Sequence, residues 1–175
     1  MISRPEQNEY NNYYQLYIDQ VDNDPIKELQ VSSIEVVELY NSIPENKLNW
    51  AYAEGKWTIK DLLQHILDVE RVMAYRALTF ARYDKSIIPG FDHDKYAELV
   101  DTSNRDIYEM LDEYVALRNS TVCLLKSFSD NELSQVGNAN GSDLSVRAIA
   151  YILCGHELHH IKVLSEKYLP NIELE

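Results

Sequence analysis

Residues 145–168 read SVRAIAYILCGHELHHIKVLSEKY, a long helical pattern that carries three histidines near its middle. At 3.6 residues per turn its apolar side chains cluster around one direction, and His156 and His160 straddle the middle of that face. His159 lies at the edge of the face, about 60° away at ~100° per residue. Two imidazoles four residues apart on one helical face can bind a single metal ion. The stretch therefore indicates both a core helix and a metal site.

The remainder of the chain predicts three more long helices. Asp24-Pro25 is a start signal for a helix to about Ser42, and Thr58 opens a capping box for a helix to about Arg82. A third helix is expected from about Thr102 to Phe128, followed by a short turn after Ser129 and a loop over 137–143. Strand signals are weak. We therefore expect an all-α four-helix bundle, one domain over 1–175 with its core at about 24–168.

His65 is the third histidine that helical spacing turns toward the core, on the second of the four helices. Each histidine alone is more simply explained as a core residue with a hydrogen-bond partner. All three together favour a metal site, because buried imidazole nitrogens without partners are unfavourable. Three neutral nitrogens leave a divalent ion its full charge and at least one open position, which a water molecule or a thiolate can occupy.

Composition excludes several classes of function. The formal net charge of −13 and the pI near 4.7 argue against a general nucleic-acid binder and against docking on an anionic membrane. No apolar run approaches the ~20 residues of a membrane span. Met1 to Asn12 lacks the pattern of a signal peptide, and Cys123 and Cys154 form no CxxC pair. We expect a cytoplasmic protein with reduced thiols.

Seven stretches stand in a characteristic order along the chain: Gly55–Asp61, His65, Asp68–Arg71, Tyr75–Leu78, Pro89–Asp92, His156 and His159–His160. In this order and spacing the chain resembles the DinB-like superfamily, in particular the branch of metal-dependent hydrolases and bacillithiol S-transferases. The resemblance covers about Asp24 to Tyr168 and implies a bundle with crossover connections. It also implies a zinc or nickel ion held by His65, His156 and His160, with zinc the first choice and nickel the alternative.

Three further residues are candidate helpers at this site. Asp68, one turn beyond His65, is a candidate partner of that imidazole or of a nearby water. Arg76 lies three turns beyond His65 on the same face, where it either forms a buried ion pair or binds an anionic group of a substrate. His159 is expected beside the metal ligands or at the mouth of the site. Glu157 is expected to be exposed.

Other residues receive a structural interpretation. His93 is expected at the surface, in a loop that could cover the pocket. Cys154 is expected to face away from the metal, and Arg118 and Arg147 are weaker anion-binding candidates than Arg76. Core packing is the expected role of three aromatic residues, Trp57, Tyr75 and Phe80.

Three functions remain open at this point. The resemblance favours a metal-dependent enzyme that transfers a low-molecular-weight, bacillithiol-like thiol to an electrophilic small molecule. A hydrolase of a small amide or ester would use the same open metal position. A non-catalytic metal-containing binding protein is the alternative from another class. The resemblance also implies a homodimer, and neither nucleic acid nor membrane is expected as a partner.

Overall fold

The computed structural model describes residues 1–173, and four long helices dominate it. They are α2 (Pro25–Asn41), α3 (Ile59–Ala81), α5 (Ile107–Lys126) and α7 (Val146–Val163), and a π-helical turn, Leu164–Tyr168, continues α7. The predicted caps are present. The Asp24 carboxylate accepts from the Ile26 backbone N–H, Thr58 and Asp61 form a capping box, and Ser145 caps α7. The predicted four-helix, mostly helical architecture is confirmed.

Three short helices accompany the long ones, the first of them before α2 and the other two between long helices. They are α1 (Gln15–Ile18), α4 (His93–Leu99) and α6 (Asp130–Leu133). The N-terminal segment, residues 1–20, runs across the bundle and packs α1 against α7. Hydrogen bonds hold this segment in place, because the Tyr151 hydroxyl donates to the Ile2 carbonyl at 3.2 Å and Arg4 donates to the Val21 carbonyl at 2.9 Å.

The helix expected to begin at about Thr102 begins five residues later, at Ile107. Asp106 is its N-cap, since the Asp106 carboxylate accepts from the backbone N–H groups of the next turn. The residues before it form a turn whose carbonyls accept from the Lys60 ammonium, at 3.0 Å for Ser103 and 2.7 Å for Arg105. Long-range bonds of this kind leave no signal in local periodicity.

The expectation of a plain loop over 137–143 is wrong. The segment is an antiparallel hairpin of β1 (Val136–Ala139) and β2 (Ser142–Ser145), in which Val136 pairs with Ser145 and Ala139 with Ser142. Asn140 and Gly141 form its turn at φ 54° and 73°. Asn-Gly is a preferred pair for such a hairpin turn, so the dipeptide was a signal for the hairpin. It was overlooked because the flanking residues lack the apolar alternation of strands.

The expectation that Glu157 is exposed is also wrong. Its side chain is 1% exposed and forms an ion pair with Arg118, which also pairs with Glu70 at 2.7 Å. The helical wheel failed here because α7 is the central helix, with α2 and α3 both packed against it, and every residue from Ala148 to Glu157 is buried. A helix covered on all sides has no solvent face for a carboxylate.

Within residues 1–173, no helix is both long enough and apolar enough to cross a membrane.

Candidate metal centre

Three imidazoles meet between α3 and α7. The Nε2 atom of His65 lies 3.0 Å from Nε2 of His156 and 3.1 Å from Nε2 of His160, and the latter two atoms are 3.1 Å apart. His156 and His160 are one turn apart on α7, and His65 reaches them from α3, which packs alongside. Among the histidine, cysteine and acidic residues that the structure describes, these three are grouped closely enough that they could hold one metal ion.

Burial keeps all three imidazoles neutral at pH 7. Burial, with a smaller contribution from neighbouring histidines, lowers the pKa of His65 to about 4 and that of His160 to about 3. The pKa of His156 lies well below its ordinary value for the same reasons. Neutral nitrogens offer lone pairs, which is the form in which histidine binds a metal.

The triangle of Nε2 atoms fits a cation better than it fits hydrogen bonding. An imidazole nitrogen that carries a proton has no lone pair left, so three nitrogens cannot donate and accept around a ring. In at least one of the three nitrogen pairs, two lone pairs or two protons therefore face each other. By comparison, three nitrogens that share one tetrahedral zinc ion at ~2.0–2.1 Å lie ~3.3–3.4 Å apart. The donor set therefore fits a divalent ion with little rearrangement.

Aromatic rings hold the three imidazoles in position. The ring of Trp57 lies 4.6 Å from that of His65, measured between centroids, and the ring of Tyr17 lies 5.4 Å from that of His156 with its edge directed at it. Nδ1 of His160 is buried and has no hydrogen-bond partner among the residues that the structure describes. Packing, rather than a hydrogen bond from Nδ1 to a carboxylate, therefore orients the His160 ring.

A cavity of about 780 Å³ opens beside the imidazoles. Its walls come from the N-terminal segment, from α3, from the residues around Phe91 and from the turn of the hairpin. On α3 the lining residues are His65, Val69, Met73 and Arg76, which form one stripe along the helix. The cavity therefore has room for a small molecule, one end of which contacts the three histidines.

The structure places the three candidate helpers differently. Oδ1 of Asp68 accepts from Gln64 Nε2 at 2.9 Å, so its partner is an amide and not an imidazole of the trio. The ring of His159 lies 5.1 Å from that of His160 and is packed against Tyr17, beside the trio but not part of it. Arg76 lines the cavity and is 2% exposed. The alternative that Arg76 forms a buried ion pair finds no support within residues 1–173.

The two weaker arginine candidates do not reach the cavity as free cations. Arg118 pairs with Glu70 and Glu157, and Arg147 pairs with Glu9. Cys154 is buried, and burial raises the pKa of its thiol to about 12. It is a neutral core residue.

Sequence reasoning missed part of the cavity wall. His93 is 44% exposed, as expected of a surface residue, but its ring also lies 5.6 Å from that of His65 and lines the cavity from the start of α4, which was expected only of the loop in general. Trp57 lines the cavity as well, and Tyr75, expected in the core, is 59% exposed. For His93, the one signal in the sequence was its place in the segment 91–94. Local spacing could not show where this segment lies, because its position depends on contacts with α3.

Comparisons with known proteins show the family and the fold of the chain. The model of the DinB superfamily matches residues 32–164. A relative from Oceanobacillus iheyensis, named "Putative metal-dependent hydrolase OB0413", is 30% identical over 139 residues, which are 78% of this chain and 79% of the relative. The fold is similar to that of YfiT from Bacillus subtilis, described as "a probable metal-dependent hydrolase with an unusual four-helix bundle topology". The TM-score is 0.71 at 17% identity, over 94% of this chain and 90% of that one.

Proposed function

The chain belongs to the DinB superfamily, and from that premise we propose that it is a metal-dependent hydrolase of a small amide or ester. One observation supports the proposal most strongly. Three neutral imidazole nitrogens, 3.0–3.1 Å apart, converge at one end of an open cavity of about 780 Å³. Structural metal sites have four protein ligands, whereas three ligands beside an open cavity are typical of catalytic sites.

His65, His156 and His160 would hold the ion, with zinc the first choice and nickel the alternative, because both accept imidazole ligands. A divalent ion with three neutral ligands supplies Lewis acidity, which lowers the pKa of a bound water toward ~7 and polarises a carbonyl. The name of the Oceanobacillus relative supports metal dependence and hydrolysis.

The chain itself contributes binding and orientation. Trp57 and Tyr17 restrict the rotation of the His65 and His156 rings, so that the Nε2 atoms face one another. Val69 and Met73 give the cavity an apolar wall along α3. Such a wall excludes water from a bound substrate and strengthens polar interactions inside the cavity.

Transfer of a small thiol to an electrophilic molecule is the second candidate, and one observation favours it. Within the described residues, no carboxylate is hydrogen-bonded to the three imidazoles, so hydrolysis would need a base from the cavity wall, such as the His93 imidazole 5.6 Å from His65 between ring centroids. A thiol held as thiolate needs no such base, because the thiolate is already the nucleophile. The cavity volume also suits two small reactants. The third candidate, a non-catalytic binding protein, gains less support because the cavity beside the histidines is open rather than filled.

Metal analysis tests the shared premise of both enzymatic proposals. We expect about one equivalent of zinc or nickel per chain in tag-free protein by mass spectrometry, and less than about a tenth of that in His156→Ala. His159→Ala is the matched control, since His159 is on the same helix but outside the trio, and it should retain the metal. The proposed metal site would be overturned if the wild-type protein takes up no zinc, or if His156→Ala and His159→Ala lose equal amounts of metal.

Activity assays separate the two enzymatic candidates. Zinc-loaded protein is incubated with p-nitrophenyl esters and anilides, with and without added cysteine as a model thiol, and with 1-chloro-2,4-dinitrobenzene as the electrophile. Zinc-dependent hydrolysis without thiol supports the hydrolase. Conjugation of cysteine with no hydrolysis supports thiol transfer and excludes the first proposal.

A further inference from the structure

We propose that Arg76 is the anion-binding residue of the cavity, so that the substrate is an elongated small molecule with a carboxylate at the end remote from the histidines. This inference rests on the proposed function for the identity of the reacting end, but the binding of the carboxylate is a property of Arg76 alone.

Arg76 is the one arginine without a carboxylate partner in the described residues. The other six of the seven arginines each lie within 4.0 Å of a carboxylate oxygen: Arg4, Arg71, Arg82, Arg105, Arg118 and Arg147. Arg76 is nevertheless 2% exposed, and its Nε atom is buried with no hydrogen-bond partner within residues 1–173. Its remaining contacts are long, at 3.8 Å to Met73 Sδ and 3.5 Å to the Pro89 carbonyl.

A buried guanidinium in this condition is unfavourable until an anion reaches it. Removing a charge from water without a counterion costs several kcal/mol, and a carboxylate that accepts two N–H groups offsets much of that cost. The free Nε and the weakly bonded terminal nitrogens are the donors that a forked contact with a carboxylate uses. The cavity supplies the path by which a ligand reaches them.

The neighbours of Arg76 are donors and aromatic rings rather than acids. Burial raises the pKa of Tyr14, so its hydroxyl stays protonated at pH 7 and can donate, although the nearby Arg76 guanidinium opposes the rise. The Phe91 ring lies 5.6 Å from Arg76 Cζ. The acidic residue that lines the cavity is Asp92, but its carboxylate accepts from the Lys95 backbone N–H and caps α4.

The spacing along α3 defines the shape of the ligand. His65 and Arg76 are separated by eleven residues, which is ~16 Å of rise between their Cα atoms at 1.5 Å per residue. Val69 and Met73 line the cavity between them and are apolar. A matching molecule therefore carries its reacting group at one end, an uncharged middle and its carboxylate at the other end, within the ~16 Å that separates the two residues along the helix.

Paired probes of equal shape test the inference by calorimetry. We expect zinc-loaded wild-type protein to bind 4-phenylbutyrate at least tenfold more tightly than the neutral 4-phenylbutyramide. Arg76→Gln should abolish that preference and leave the affinity for the amide unchanged. Arg82→Gln, in which an exposed and paired arginine is changed, should behave as wild type. A carboxylate preference that persists in Arg76→Gln would overturn the proposal.

His156→Ala separates this inference from the proposed function, because a carboxylate could instead bind the metal ion. If Arg76 binds it, the preference persists in His156→Ala, whether or not the wild type holds a metal or catalyses a reaction. Loss of the preference in that variant would show that the metal binds the carboxylate and would overturn the inference.

A spectroscopic measurement keeps the test independent of folding of the glutamine variant. The Nε–H resonance of Arg76 in the ¹⁵N spectrum of the wild type, assigned with Arg76→Lys, should shift on addition of 4-phenylbutyrate and stay in place with the amide. Arg76→Lys should keep a reduced preference, because an ammonium retains the charge but not the fork. A resonance that does not respond to the carboxylate contradicts the proposal.

Discussion

His65 and His160 differ from exposed histidines because burial favours their neutral form. Their pKa values of about 4 and about 3 lie below the value of ~6.5 expected in the unfolded chain. Between pH 6.5 and 4 the unfolded chain therefore binds protons that the folded, metal-free protein does not. Stability is fully present above pH 6.5 and decreases as the pH falls toward the pKa values of the folded state.

For metal-free protein we expect the free energy of unfolding to fall between pH 7 and pH 5 by about 2 kcal/mol for each such histidine. Urea denaturation in the presence of a chelator measures it at both pH values. His160→Leu removes one of these groups, so its decrease should be about 2 kcal/mol smaller than that of the wild type. An identical pH response in the two proteins would show that His160 is not held neutral.

At the scale of the elements, α2, α3, α5 and α7 are linked by a buried charge network. Arg118 on α5 donates to Glu70 on α3, to Glu157 on α7 and to the Leu29 carbonyl on α2. The Tyr114 hydroxyl donates to Glu157 at 2.7 Å. Because the network joins all four helices, removal of its cation should affect the whole bundle.

Arg118→Met should lower the free energy of unfolding by about 3–5 kcal/mol, because it leaves two buried carboxylates without their cation. Urea denaturation at pH 7 measures the loss. Arg82→Met is the control, since Arg82 is 55% exposed in its pair with Glu132, and an exposed pair contributes at most about 1 kcal/mol. Equal losses in the two variants would contradict a special role of the network.

The N-terminal segment depends on a glycine of α7. A Cβ atom at Gly155 would lie 1.8 Å from the Tyr17 carbonyl oxygen, which is far inside van der Waals contact. Only glycine therefore lets α1 approach α7 closely enough for Tyr17 to pack on His156.

Gly155→Ala should displace α1 and raise the hydrogen-exchange rates of its amides at least tenfold. The clash should cost about 1–3 kcal/mol, partly offset by ~1 kcal/mol of better helix propensity. Gly55→Ala is the control, because no atom lies within 4 Å of its added Cβ and only its positive φ is strained. Unchanged exchange in α1 of Gly155→Ala would show that the segment does not need the close approach.

At the scale of the whole molecule, a metal ion would join two helices that are distant in sequence. His65 and His156 are 91 residues apart, so folding brings them together and the unfolded chain has no such site, and an ion would bind the folded state preferentially. The net charge of −13 also attracts cations to the surface without any site. A thermal measurement must distinguish the two effects.

Zinc at one hundred times its dissociation constant should stabilise the chelator-treated wild type by about 3 kcal/mol. For a chain of this size that corresponds to a rise in Tm of roughly 6–12 °C by calorimetry. His156→Ala keeps the acidic surface but lacks the site, so its Tm should change little. An equal rise in both proteins would assign the effect to surface binding.

The fold was largely predictable from the sequence, and the site was predictable in part. Helix caps at Asp24, Thr58 and Ser145 depend on residues within one turn, and they agree with the structure. The hairpin was missed because its strands are only four residues long and alternate weakly. The ligand roles of the three histidines, the single domain and the homodimer stay predictions.

The sequence by itself determined the four helices, the caps of three of them and the histidine pair at 156 and 160, because these features depend on spacing within one helix. Only the tertiary structure decided that Glu157 is buried, that His93 lines the cavity and that Arg76 lacks a carboxylate partner within the described residues. Those outcomes depend on which side chains of other helices and loops pack against these three residues. Local periodicity defines one face of a helix, but it does not identify the element that covers that face.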